Sequence, residues 1–151
     1  MIGGEKGFHL VKFGPDLDQI WTKLGLFEPA RDLAYCPYSK FRVGCTILTE
    51  DGEFISGANV ENASYGAGIC AERTTIVTAS NQGKRKFKLI AISGDTDEPL
   101  APCGVCRQVI REFSKDIPIV MLNKTGEKVR VKMLSEMLPF SFGPEDLGVS
   151  M

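Results

Sequence analysis

Apolar and polar positions alternate along this chain in blocks with distinct periods. From Leu17 to Leu33, apolar residues recur at Leu17, Ile20, Trp21, Leu24 and Leu33, a helical spacing, and Pro29 inside the stretch predicts two short helices or a kinked one. Cys36-Pro37-Tyr38-Ser39 breaks the pattern. Phe41 to Thr49 and Phe54 to Val60 are rich in Val, Ile, Phe and Thr and read as two strands, with Asp51-Gly52 between them as a hairpin signal. Gly66 and Gly68 interrupt the chain, after which Cys70 to Ser80 lacks Pro and Gly and reads as a helix stopped near Gly83. Phe87 to Ser93 is a compact apolar run, the mark of a buried strand, and Pro99 and Pro102 place a loop before a second helix from Cys103 to Phe113. Ile117 to Leu122 and Val129 to Met133 are further strands, joined at Lys124-Thr125-Gly126. The order β-β-α-β-α-β-β predicts an α/β layered domain whose sheet mixes pairing directions.

Residues 1 to 16 are rich in glycine and charge without clear periodicity and read as a flexible arm, leaving 17–151 as a single domain. Eighteen Lys and Arg against 19 Asp and Glu leave a formal net charge of −1, which argues against a dedicated nucleic-acid binder. No apolar run is long enough to span a bilayer, and the charged, glycine-broken opening Met1–Gly7 is not a secretory signal. The chain is therefore expected to be soluble and cytoplasmic, with neither nucleic acid nor membrane as a partner. The tribasic Lys84-Arg85-Lys86 reads as a solvated loop, and His9, in the arm, as a solvated side chain.

The five cysteines change the picture. An odd set without a signal peptide fits thiols or metal ligands in a reducing compartment better than a disulfide framework. Cys36 and Cys45 read as small buried hydrophobes. Cys103 and Cys106, spaced i and i+3 at a helix start, can reach one ion, and Cys70 opens the other helix, where dipole and unpaired N–H groups favour a thiolate. Three sulfurs leave tetrahedral zinc one position for water, the arrangement of a catalytic rather than a structural site. Glu72, two residues past Cys70, would sit beside that water and shuttle its proton, and Arg73 would offset the thiolate charge. A lone Cys-Gly-Val-Cys also reads as a thioredoxin-type redox pair, although that reading leaves Cys70-Ala71-Glu72 unused.

Cys70-Ala71-Glu72-Arg73, followed by Pro102-Cys103-Gly104-Val105-Cys106-Arg107-Gln108, resembles the zinc-dependent cytidine deaminases, in the small homotetrameric class with three cysteine ligands. Ala34-Tyr35-Cys36-Pro37-Tyr38-Ser39 with Phe41-Arg42-Val43-Gly44, Asn59-Val60-Glu61-Asn62-Ala63-Ser64-Tyr65, and Leu138-Pro139 with Phe142-Gly143-Pro144 extend the resemblance over roughly residues 30 to 147. It implies a three-layer α-β-α domain around a mixed five-stranded sheet. It also implies one Zn²⁺ per subunit on Cys70, Cys103 and Cys106, with Glu72 as proton shuttle and Arg73 on the thiolates. Asn59 and Glu61 would bind the ribose hydroxyls, Phe41 would pack on the nucleoside, and the Ala71 backbone would read the pyrimidine. Ala63 and Tyr65 from one neighbouring subunit and Phe142 from another would complete the pocket. The implied reaction is hydrolysis of cytidine and 2′-deoxycytidine to uridine and 2′-deoxyuridine, in pyrimidine salvage. Deamination of another amino-heterocycle such as blasticidin S, of a polynucleotide, or a non-enzymatic zinc or redox module stay open as rivals.

Overall fold

The computed structural model describes residues 27–150. The expected arm, His9 and the apolar positions Leu17 to Leu24 lie outside them. Helix α1 is Phe27–Asp32, strand β1 Val43–Thr49, β2 Phe54–Ala58, helix α2 Ala71–Asn81, β3 Phe87–Gly94, helix α3 Gly104–Phe113, β4 Pro118–Leu122, β5 Val129–Met133 and the short helix α4 Leu134–Met137. Single 3₁₀ turns occupy Tyr65–Ala67 and Pro144–Leu147. Among the described residues the sheet has five strands in the order β2-β1-β3-β4-β5. Only β3 and β4 run parallel, bridged by α3 in the way a parallel pair requires. The other neighbours are antiparallel, so the sheet is mixed, as the element order predicts.

Alternation along the strands sends two apolar sets to opposite faces. Cys45, Ile47, Ile90, Ile92, Ile119 and Met121 pack with Ala71, Ile76 and Ala79 of α2 and Ile110 of α3. Leu48, Leu89, Ala91, Val120 and Leu122 cluster on the other face. Helices α1 and α2 each seat on a strand glycine. On the α1 side a Cβ at Gly44 would meet the Arg31 main-chain nitrogen at 2.6 Å, and on the α2 side one at Gly57 would meet Thr75 Oγ1 at 2.7 Å. Helix, sheet and helices thus form three layers. Because the obstacle at Gly44 is backbone, it cannot rotate away. Gly44→Ala should cost about 2–3 kcal/mol, read as a lower urea midpoint at unchanged m-value, and an unshifted midpoint would refute this packing.

Helix α2 has little intrinsic propensity, being rich in β-branched residues, and three threonines bond back to the preceding turn: Thr74 to Cys70 O, Thr75 to Ala71 O and Thr78 to Thr74 O. Its stability comes from burying Ala71, Thr75, Ile76 and Ala79 along one stripe. Gly83, at φ +77°, ends it in the left-handed conformation, with Lys84 N donating to Ala79 O.

Several expectations shift. The helix around Pro29 ends at Asp32, and Leu33 is 75% exposed rather than part of an apolar stripe. Strand β1 starts at Val43 instead of Phe41, because the residues before it bond to side chains and not to a neighbouring strand. Strand β2 stops at Ala58, leaving Val60 in single bridges to Tyr35 and Ile69. Cys45 is fully buried, and burial pushes its thiol up, but Cys36 is only half-buried and is no core filler. Lys84 is not merely solvated, since it pairs with Asp51 and, at 3.0 Å, Glu53. No helix among the described residues is long and apolar enough to cross a membrane.

Candidate metal centre and its cavity

The two helix starts that carry cysteine converge. Cys70 is the N-cap of α2 and Cys103 the N-cap of α3, both in extended backbone and neither bonding its own helix through the side chain. Their sulfurs are thereby turned outward from the helices, 4.0 Å apart. Cys106, at the third position of α3, joins them from below, and all three Sγ atoms lie within 4.8 Å of one another. Tetrahedral zinc at about 2.3 Å from each sulfur would need sulfurs about 3.8 Å apart, so the trio fits the ion. A redox dithiol uses two sulfurs and gives no reason for a third.

Charge supports the same reading. Arg73 Nη2 donates to Cys70 Sγ and to Gly68 O, both at 3.5 Å. Cys70 is drawn below an ordinary thiol, first by the hydrogen bond from Cys106 and, against its partial burial, further by Arg73. Cys106 is pushed the opposite way, chiefly by that same bond to Cys70 and by burial. A cation in the midst of the sulfurs would favour all three as thiolates together. Three thiolates and a divalent ion leave a formal −1, which Arg73 balances.

Glu72, the second residue of α2, is 4% exposed. Burial raises its carboxyl above the usual range and the charge on Cys70 adds to this, while its own main-chain hydrogen bond, Cys106 and Arg73 pull the other way. A carboxyl raised in this way is better suited than an ordinary surface carboxylate to hold and pass on a proton.

A cavity of about 590 Å³ opens above this floor. Phe41, Asn59, Glu61, Tyr65, Cys70, Ala71, Glu72, Arg73 and Cys103 all line it, whereas Cys106 is buried beneath. Ala71 sits at the first helical position, where the N–H has no carbonyl within the helix to bond. Asn59 and Glu61 also hold the chain itself. The Asn59 amide donates to Phe41 O and accepts from Val43 N, each at 2.9 Å. The Glu61 carboxylate accepts from Tyr38 N at 2.9 Å, Ser39 N at 3.2 Å and the Ser39 hydroxyl, and the last of these leads in holding it below the usual carboxylate range.

Tyr65 lines the cavity of its own chain while 81% exposed, its ring 6.0 Å from that of Tyr38. Ala63 and Phe142 do not line it; both face outward, Phe142 with its carbonyl held by Gln108 at 3.0 Å. The wall further includes Ser39 and Val43, from the two entrance segments quoted above, and Leu100 and Ala101, which no local motif marks. Arg107 is likewise missed by sequence reasoning. It donates to Pro102 O at 2.9 Å and Met137 O at 3.0 Å and so ties the loop carrying Cys103 to α4. Being one polar residue on a helix start, it carries no sequence signal of that role.

Fold and site together define an α/β domain with a three-cysteine cluster fit for a divalent metal ion, built where two helix N-termini on one sheet face meet. Residues 24–122 match the family model described as "Cytidine and deoxycytidylate deaminase zinc-binding region". A cytidine deaminase of Sporosarcina psychrophila is 44% identical over 121 residues, 80% of this chain and 88% of that protein, and one of Halalkalibacterium halodurans is 45% identical over 118 residues, 78% and 89%. The 1.6 Å crystal structure of cytidine deaminase from Burkholderia pseudomallei superposes with a TM-score of 0.77 at 44% identity, covering 81% of this chain and 98% of that one. The chain belongs to the cytidine deaminase family of hydrolases.

Proposed function

We propose that the protein hydrolyses cytidine and 2′-deoxycytidine to uridine and 2′-deoxyuridine, releasing ammonia, with one zinc ion per subunit held by Cys70, Cys103 and Cys106. The observation that carries this reading is the buried Glu72 carboxyl beside three convergent sulfurs on the floor of a nucleoside-sized cavity. Zinc bound there supplies the Lewis acidity that makes water a nucleophile near neutral pH. Glu72 takes a proton from the water attacking C4 and delivers it to N3. It then carries the remaining hydroxyl proton to the exocyclic amino group, which departs as ammonia and leaves the C4 carbonyl. The unpaired N–H of Ala71 and neighbouring main chain bind the pyrimidine edge, and Phe41 packs on the ring. Asn59 and Glu61 retain hydrogen-bonding capacity beyond their bonds to the chain, an amide having two donors and two lone pairs on its oxygen, and offer it to the ribose hydroxyls.

The charge of the wall favours a nucleoside over its 5′-phosphate. Among the described residues Arg73 is the only cation lining the cavity, and it is engaged with Cys70, while Glu61 and Glu72 are both acidic. A phosphate there would meet like charge and no free cation. Steady-state assays should give kcat/KM for deoxycytidylate about 100-fold or more below that for deoxycytidine. Comparable values would reverse the assignment.

Ala63 and Phe142, exposed and away from their own cavity, are read as reaching neighbouring subunits' cavities in a homotetramer. The cellular role is pyrimidine salvage in the cytoplasm. The test is release of ammonia with loss of cytidine absorbance by the zinc-loaded protein; none from either nucleoside would end this reading.

A further inference from the structure

Phe41 reaches the cavity from a segment outside any regular strand, so something other than a ladder must hold it. Lys40, just before, has a positive φ of 58°, a conformation that persists only where its surroundings enforce it. Every main-chain polar group from Phe41 N to Val43 O is hydrogen-bonded. On one side Asn59 holds Phe41 and Val43. On the other, Asp95, the residue after β3, holds Arg42. Asp95 N donates to Arg42 O at 3.2 Å, and Arg42 N donates to Asp95 Oδ2 at 3.1 Å. The Arg42 guanidinium grips both oxygens of the same carboxylate, Nε to Oδ2 and Nη2 to Oδ1, each at 3.0 Å. Arg31, buried under the same carboxylate, has Nε 3.6 Å from Oδ1 and donates to Lys124 O at 3.0 Å, while Arg42 Nη1 reaches Asp32 at 2.7 Å. The carboxylate thus joins α1, the end of β3 and the entrance segment. A forked guanidinium–carboxylate pair adds direction as well as energy.

We propose that Asp95 and Arg42 act as one positioning pair for the substrate cavity: the Asp95 carboxylate locks Arg42, and through it sets Phe41 against the bound nucleoside, without touching substrate. The proposal rests on the nucleoside reading above and adds to it a determinant of substrate affinity 53 residues from Arg42 in the chain.

The test uses the zinc-loaded protein and its variants Asp95→Asn, Asp95→Glu, Arg42→Gln, the double Arg42→Gln/Asp95→Asn, and Lys84→Gln, which removes the ion pairs to Asp51 and Glu53 at the far hairpin. Asp95→Asn and Arg42→Gln should each raise KM for cytidine about 5- to 10-fold with kcat changed less than about twofold. The double variant should be no worse than the poorer single, because both changes break one unit. Asp95→Glu should recover part of the loss, and Lys84→Gln should match the parent. Should Asp95→Asn fail to fold, Arg42→Gln carries the same expectation at a partly exposed side chain. Amide hydrogen exchange at residues 41–43, measured without substrate, should quicken in both singles and not in Lys84→Gln. Unchanged exchange there, a fall in kcat at constant KM, or an equal effect of Lys84→Gln would overturn the pair's role. Because exchange needs no turnover, parent protein inert towards cytidine would count against the proposed function and not against this clamp.

Discussion

Glu72→Gln should lower kcat for cytidine about 1000-fold or more while zinc content and thermal midpoint stay at parental values. The two side chains are near-isosteric, so the buried position keeps its shape. Stability should not suffer, because the carboxyl is 4% exposed and its ionised form is already penalised by burial. What is lost is the ability to take a proton from water and pass it first to N3 and then to the leaving amine. An amide cannot do this at any pH. Stopped ultraviolet assays on cytidine, with metal measured on the same samples, decide the matter. A variant within tenfold of the parent would remove Glu72 from the chemistry, and one that had lost its zinc would make it a structural neighbour of the sulfurs.

Cys103→Ser should abolish zinc binding and turnover together, with a zinc affinity about 1000-fold or more below that of the parent. This residue is the sharpest of the three to change because its side chain is exposed, so its removal opens no cavity in the core. Helix α3 remains seated through Ile110, Val109 and Phe113. Any loss of function then follows from the ion rather than from unfolding. Cys45→Ala makes the contrast: it empties a fully buried site on the same sheet face, so it should lower the unfolding midpoint and leave zinc stoichiometry untouched. If Cys103→Ser retained full zinc and rate, the metal assignment would fail; if Cys45→Ala lost zinc, the ligand set would have to be redrawn.

The parts of this molecule legible in the amino-acid order are those governed by near neighbours. Strand alternation, the hairpin glycines and the stops at Gly83 and Gly126 depend on a few adjacent residues, and the elements from β1 to β5 follow them within a residue or two. The convergence of Cys70 with Cys103 and Cys106 is a long-range fact, but it was readable because helix starts, thiolate chemistry and the spacing of the later pair all point to one ion. What stayed hidden are pairings made by distant polar residues. Arg111 is 1% exposed, yet it looks like a surface residue on a helix; it is buried because the returning C-terminal segment lays Ser141, Gly143 and Glu145 over it. Asp95 looks like loop punctuation until Arg42 is brought beside it. Asn59 and Glu61 read as ligands for a sugar, and nothing in their local order announces that they first hold Phe41, Val43 and the Tyr38–Ser39 turn. Periodicity reports which face of an element is apolar. It is silent on which charged groups meet across the fold.

The most direct measurement on the central claim is zinc-edge X-ray absorption of the purified, zinc-replete protein. The account predicts three sulfur neighbours at about 2.3 Å and one oxygen at about 2.0 Å, the signature of a centre open to solvent with Glu72 at its side. A fourth sulfur or a nitrogen from the protein, closing the ion off, or fewer than three sulfurs, would contradict it.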